Sequence, residues 1–335
     1  MVNGHKYVGI RTVFMTRTTE GPDVTEADVR AAAGRLAPHV VRTPLEESPW
    51  LSELAGVSIR LKLECWQPTG SFKVRGAFNA IASLSSPMRA RGLVTASAGN
   101  HGQAVARAAA RFGANAVIFV PRSAPAAKKS RIRAYGATLD ETAATYDDAE
   151  DAAFAYARDR GVTLVHAFSD PAVVAGQGTI ALEILDELPD VRTVIVPVGG
   201  GGMLAGIATV LVPRGVRVIG VQSDATPNMH AALAAGGLVD CPVIPTLADG
   251  LAGRTDATSV RRLQSLGAPV HLVPEAALAA AIRDLFVNDG VVAEGAGIVS
   301  VAALRTLDLQ ADGPAVLVIS GRNIDALKLA RILAG

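Results

Sequence analysis

Residues 193–212 read TVIVPVGGGGMLAGIATVLV, from Thr193 to Val212. The stretch is uncharged and long enough to pass for a membrane span. Pro197 and the four consecutive glycines Gly199–Gly202 break it in the middle, so a strand, a glycine turn and a helix account for it better. An apolar strand running through a glycine turn into a helix is the start of a βαβ unit, whose strands are buried on both faces of a parallel sheet. The expectation is an α/β fold, with a strand over Val191–Val198 and a helix over Gly202–Val212.

The same alternation extends in both directions. Upstream, Thr25–Leu36 predicts a helix with Thr25 as N-cap and Asp28 at N3, and Val57–Glu64 alternates as a strand should. A helix follows over Phe72–Leu84. Between 85 and 168, strands at Gly92–Ala96, Ala116–Val120, Ala137–Leu139 and Val162–His166 alternate with helices, which predicts a small α/β unit inserted in a larger one. Its helix Ala124–Tyr135 carries Lys128 and Lys129, read as a solvated face. Downstream come helices over Gly176–Leu188 and Asn228–Ala235, with strands over Val216–Gln222, Val270–Val273 and Ala315–Ser320. The expected division is an arm over 1–22, a large domain over 23–84 and 169–335, and a small domain over 85–168.

Composition narrows the partners. Lys+Arg 32 against Asp+Glu 31 leaves a net charge of +1, too little for an electrostatic footprint on nucleic acid or anionic membrane. Cys65 and Cys241 lie far apart, and the six histidines show no ligand spacing, so neither a disulfide framework nor a zinc site is legible. Residues 1–21 lack the apolar core of a secretory leader. A cytoplasmic protein with a small-molecule partner, no metal and no nucleic acid is expected.

Two stretches carry chemistry. In QPTGSFKVRGAF, Gln67–Phe78, a lysine stands among small and apolar residues in a chain that elsewhere prefers arginine. Burial there would lower the pKa of Lys73 and supply a neutral amine, the condition for a Schiff base with a carbonyl compound; a lysine snorkelling to solvent is the bland reading. The glycines Gly199–Gly202 leave backbone N–H groups free to curl round an anion at a helix N-terminus, and phosphate is the natural ligand. Gly200, Gly202 and Gly206 followed by Asp224 also approximate a dinucleotide fingerprint, so an NAD-dependent oxidoreductase competes. It would leave Lys73 unexplained. Ser97-Ala98-Gly99-Asn100-His101 and Ser320 also fall at strand ends, where parallel sheets gather ligands.

Together LKLECWQPTGSFKVRGAFNA, TASAGNHGQAVA, PVGGGGMLAG, TLADG, EGAG and SGRNID resemble the fold-type II pyridoxal-phosphate enzymes. The resemblance runs from Thr43 to Asp325 and is strongest to the threonine/serine dehydratases and their serine-racemase relatives. It implies a tryptophan synthase β-like architecture of two parallel-sheet α/β domains, the small one inserted in the large. It makes Lys73 the lysine that carries pyridoxal 5'-phosphate and serves as base at the substrate Cα. Phe72 would pack beside the ring, Asn100 would meet the 3-oxygen, and Gly199, Gly200, Gly201, Gly202 and Met203 would cradle the phosphate. Gly250 would lie against the cofactor and Ser320 would partner the ring nitrogen. Ser97, Gly99 and His101 would receive the substrate carboxylate, with Thr69 and Ser71 nearby.

A hydroxyl at Ser320 cannot hold the ring nitrogen protonated as an aspartate would, which favours prompt β-elimination over a long-lived carbanion. The expected reaction removes water from a 3-hydroxy amino acid such as threonine or serine and releases a 2-oxo acid and ammonia. Ala98 stands where racemases of the group carry a serine, which ranks dehydratase above racemase; a β-replacement synthase stays open. Gln222 and Asn228 stand at about the positions of carboxylates that hold a divalent cation in relatives, which weakens such a site and leaves cation dependence open. SGRNID and TLAD also resemble the subgroup of hydroxyectoine catabolism. Arg254 and Arg322 are open between contact with a second acidic group and plain solvent exposure. The resemblance implies a homodimer or homotetramer.

Overall fold

Apolar runs that alternate with amphipathic helices sort into two sheets. The protein is described by a computed structural model over residues 23–242, 244–309 and 313–335, so the expected arm at 1–22 lies outside the described residues. The strands are β1 (Leu45–Glu47), β2 (Ile59–Lys62), β3 (Leu93–Ala96), β4 (Ala116–Phe119), β5 (Thr138–Asp140), β6 (Thr163–Leu164), β7 (Thr193–Pro197), β8 (Arg217–Ser223), β9 (Val270–Val273) and β10 (Ala315–Val318). Six form a sheet in the order β1-β2-β10-β7-β8-β9, and four form a second sheet in the order β5-β4-β3-β6. All pairings are parallel except β1 with β2.

Parallel strands need crossovers, and the helices that supply them bury both faces of each sheet. Against one face of the large sheet, Val29, Ile180, Ile207, Val210 and Leu263 make an apolar core; against the other, Leu51, Leu278, Ile282 and Val299 do the same. The small sheet is covered by helices Asn100–Arg111 and Tyr146–Arg160. The helix Lys73–Ser83 packs its Val74, Ala77, Phe78 and Ile81 into that small-sheet core, beside Leu93 and Ile118.

β2, β10 and β7 are neighbours, so the loops at their carboxyl ends emerge side by side. Those loops lead to Lys73, to Ser320 and to Gly199–Gly202. Topology alone therefore brings three distant stretches of sequence to one edge.

Several expectations shift. The helix expected from Gly176 starts at Pro171, with the Asp170 side chain accepting from Ala172 N at 2.8 Å. Gly176 is a crossing point and no breaker: a Cβ there would lie 2.7 Å from Arg75 O and 2.8 Å from Gly76 Cα, so two helix backbones meet. Lys129 is buried, donating to Arg122 O and Glu141, which corrects its solvated reading. Helices over Pro49–Ala55, Ala257–Leu266, Ala277–Asp289, Gly295–Ala302 and Ala326–Ala334 join the expected set.

The helix that begins at Lys73 is anchored by buried charge. Arg75, 1% exposed, donates to Glu64 Oε2 and Oε1 at 2.8 and 2.7 Å and to Glu183 Oε1 and Oε2 at 2.7 and 2.8 Å. Lys62 Nζ meets Glu183 at 2.6 Å, and the Thr43 hydroxyl donates to Glu64 at 2.6 Å. Burial alone would raise the Glu64 carboxyl, but the Arg75 guanidinium outweighs it and holds the group below its ordinary range. Removing one member strands a buried charge, at a cost of about 3–5 kcal/mol. Arg75→Met should lower the urea midpoint by a corresponding margin, whereas Arg60→Met, whose guanidinium pairs with exposed Glu47, should change it little.

Candidate active site

The two loops that frame Lys73 are stitched together. Phe72 N donates to Ser320 O at 3.0 Å, Arg322 N to Gly70 O at 2.9 Å, and Ser71 bridges to Gly321. Gly70 takes φ +73°, which lets the chain turn into the helix at Lys73. Half-buried, the Lys73 amine donates to Ala167 O at 2.8 Å and lies 5.3 Å from the Phe72 ring centroid. Burial lowers its pKa to about 8, so a sizeable neutral fraction exists near neutrality.

The glycine turn is shaped by what its missing side chains admit. A Cβ on Gly200 would lie 2.3 Å from Phe168 Cγ, and one on Gly202 2.5 Å from Phe168 O. Gly201 has φ +90°. Met203, in the first turn of helix Gly202–Leu211, is buried, and Gly199 lies against Gly250 and Leu251. The result is a glycine turn at a helix start, packed closely against Phe168.

From the small sheet, Ser97 follows β3 and its hydroxyl accepts from Gly99 N at 3.2 Å. Asn100 opens the helix; its Nδ2 donates to Glu294 Oε1 at 2.6 Å and its Oδ1 accepts from Asn323 Nδ2 at 2.7 Å. Burial, opposed by the Asn100 hydrogen bond, pushes Glu294 up to about 7. The His101 ring places Nε2 3.0 Å from Val165 O and keeps a buried Nδ1. Burial, aided by nearby Lys73, lowers its pKa to about 3, and burial likewise lowers His166 to about 4. Among the described residues the buried hydroxyls of Thr69 and Ser71 have no partner, and Ser320 Oγ makes a long 3.5 Å approach to Ala296 O.

These contacts gather Lys73, Phe72, Thr69, Ser71, Ser97, Gly99, Asn100, His101, Gly199–Gly202, Met203, Gly250 and Ser320 around one edge. Arg254 does not join them, because it pairs with Asp147, and Arg322 is exposed. Gln222 accepts from His230 N at 2.9 Å and Asn228 donates to Gly253 O at 3.1 Å. Among the described residues no group of three or more His, Cys, Asp or Glu could hold a metal. Sequence reasoning missed Ala167, Phe168, Glu294 and Asn323. Glu294 and Asn323 sit inside the EGAG and SGRNID motifs, which were a signal; a backbone carbonyl such as Ala167 O leaves none.

A glycine turn at a helix start for phosphate, a desolvated amine for a carbonyl carbon and a spare hydroxyl fit pyridoxal phosphate in kind. Residues 36–321 match the family model of the pyridoxal-phosphate dependent enzymes. The chain belongs to that family. This pyridoxal-phosphate enzyme is 45% identical over 314 residues to an L-threonine ammonia-lyase of Thermotoga maritima, covering 92% of this chain and 78% of the relative. Its fold superposes on maize serine racemase with a TM-score of 0.88 at 29% identity, covering 93% and 97% of the two chains. It also superposes on the processed form of threonine deaminase isoform 2 from Solanum lycopersicum, with a TM-score of 0.86 at 32% identity over 92% and 86%. Family membership removes the NAD-dependent oxidoreductase, and Asp224 is taken up in accepting from Glu275 N at 2.8 Å.

Two outcomes follow. Gly200→Ala should lower pyridoxal-phosphate affinity about tenfold or more in a fluorescence titration, since Phe168 must move. The second concerns pH. His101 and His166 stay neutral in the folded protein while the unfolded chain takes up protons below about 6.5, so their stabilisation holds above that pH and is lost as pH falls toward 4. Glu294 acts oppositely, losing stability as pH rises through 7. His101→Gln should flatten the fall of the urea midpoint between pH 6.5 and 4.

Proposed function

We propose that this enzyme is a threonine ammonia-lyase, removing water from threonine to give an enamine that water then hydrolyses to 2-oxobutanoate and ammonia. One observation carries the reading: burial lowers the pKa of the Lys73 amine, and the loop hydrogen-bonded to the neighbouring Phe72 N–H offers at Ser320 a hydroxyl rather than a carboxylate for a ring nitrogen. The 45% identity to a threonine ammonia-lyase over most of the chain supports it.

Bound pyridoxal phosphate supplies an aldehyde that captures the substrate amine and a ring that takes up the electron pair released at Cα. The backbone N–H groups of Gly199–Gly202 would hold its phosphate, with the start of helix Gly202–Leu211 adding partial positive charge. An Asn100 N–H would meet the 3-oxygen, and Ser320 would donate to the ring nitrogen without keeping it protonated. Phe72 and Gly250 would flank the ring. The neutral Lys73 amine would take the Cα proton, and the β-hydroxyl group would leave with a proton as water. Ser97, Thr69 and Ser71 present hydroxyls to the substrate carboxylate, and Gly99 and His101 present backbone N–H groups at a helix start. The His101 ring contributes no N–H there, since its Nε2–H goes to Val165 O.

Ala98 offers no acid on the opposite face of Cα, which disfavours racemisation. Serine is accepted in the same pose, with a hydrogen in place of the methyl group. Free Cys65 and Cys241 suit a reducing cytoplasm, and no helix among the described residues is long and apolar enough to cross a membrane. Exposed Trp66, Leu238, Phe286, Val287 and Leu327 support self-association into a dimer or tetramer. The unit built on β3–β6 acts as the small domain, tied across the cleft by Lys128 to Asp249 at 2.8 Å and by Arg254 to Asp147.

The purified protein should show a visible absorption band that Lys73→Ala abolishes, and should convert threonine to 2-oxobutanoate at a rate that the variant lowers at least a thousandfold. A colourless wild-type protein, or full turnover by Lys73→Ala, would overturn the reading.

A further inference from the structure

Asn100 is the residue on which three separate segments converge. Its Nδ2 donates to Glu294 Oε1 at 2.6 Å, and its Oδ1 accepts from Asn323 Nδ2 at 2.7 Å. The same Asn323 Nδ2 donates to Thr69 O at 2.8 Å, and Asn323 Oδ1 accepts from Arg131 at 3.0 Å. Two glycines make room for these groups. A Cβ on Gly321 would lie 2.0 Å from Glu294 Oε1 and 3.3 Å from Asn100 Nδ2, and one on Gly70 would lie 2.7 Å from Asn323 Oδ1.

A primary amide can present either its oxygen or its NH2 group on a given side, and nothing in an isolated asparagine decides which. Here both ends are decided. An acceptor, Glu294, meets the NH2 group, and a donor, Asn323, meets the oxygen. With one N–H held by Glu294 and the oxygen turned toward Asn323, the second N–H of Asn100 remains free to donate. We infer that Glu294 and Asn323 are positioning residues that lock the Asn100 amide so that an N–H, and not the carbonyl oxygen, faces the cofactor's 3-oxygen. The inference rests on the reading of Asn100 as partner of that oxygen. Asn323 extends the lock to the substrate loop through Thr69 and to the small-sheet helix Ala126–Arg133 through Arg131. One side chain thereby sets the registry of the ring-binding, substrate-binding and small-sheet segments.

Shape and hydrogen-bond character can be separated by substitution. Asn323→Asp keeps the outline but turns a donor into an acceptor facing two oxygens, while Asn323→Ala removes both outline and donor. Glu294→Gln keeps an acceptor for Asn100, and Glu294→Ala does not. The cofactor dissociation constant by equilibrium dialysis and the absorbance maximum of the bound cofactor are the readouts, with Asn100→Ala as reference. Asn323→Asp should weaken binding about tenfold, at least as much as Asn323→Ala, and move the absorbance maximum in the direction seen for Asn100→Ala. Glu294→Gln should stay within about threefold of wild type and Glu294→Ala should not. A milder effect of Asn323→Asp than of Asn323→Ala, or affinity lost with an unmoved spectrum, would reduce these residues to packing and overturn the inference. If the Asn323 variants fail to fold, the Glu294 pair makes the same comparison. An unchanged spectrum and affinity in Asn100→Ala would instead remove the reading of Asn100 itself.

Discussion

Two residues beyond Lys73, the Arg75 guanidinium is buried between two carboxylates. Glu64 comes from the turn after β2, Glu183 from the helix Pro171–Glu187, and Lys62 from the end of β2 completes a neutral set of four charges. Such a cluster contributes little net stability compared with well-packed apolar groups, but it tolerates very few arrangements. It fixes the helix Lys73–Ser83 in register against β2 and against its crossing partner, where Gly76 and Gly176 bring the two backbones together. The position of the Lys73 amine, and so its approach to Ala167 O, follows from that registry.

With this helix set, the rest of the site is a consequence of parallel topology. The carboxyl ends of β2, β10 and β7 lie next to each other, so an amine, a hydroxyl and a phosphate turn share one edge although they are separated by more than a hundred residues. The small sheet contributes Ser97 to His101 from the equivalent end of β3. Its core takes in the inner face of the Lys73 helix, so the two sheets are joined through that helix.

Much of this was legible in the residues. Strand, glycine turn and helix announce themselves at Thr193–Val212 because backbone geometry restricts which residues can stand there. Lys73 stands out as a lysine among Phe72, Val74 and glycines, although snorkelling to solvent accounts for it equally well until the other motifs are set beside it. What was not legible depends on partners distant in sequence. Lys129 reads as solvated beside Lys128 until Glu141 and the Arg122 carbonyl close over it. The helix reads as starting only at Gly176, because nothing local shows that another helix must pass against Gly176 and Gly178. Phe168 and Ala167 act through a ring face against Gly200 and a backbone carbonyl, neither of which constrains residue type strongly. Arg254 had two readings, and only the geometry of Asp147 resolves it.

The central claim is that Lys73 alone serves Cα and that removal of its proton leads to elimination. Its most direct measurement follows threonine turnover to partial conversion, quantifies 2-oxobutanoate and ammonia, and determines the configuration of the recovered threonine. The account predicts 2-oxobutanoate and ammonia in equal amounts, with recovered threonine unepimerised. Recovery of the Cα epimer without accumulation of 2-oxo acid would contradict it, because a second base would then have to stand on the face that Ala98 leaves bare.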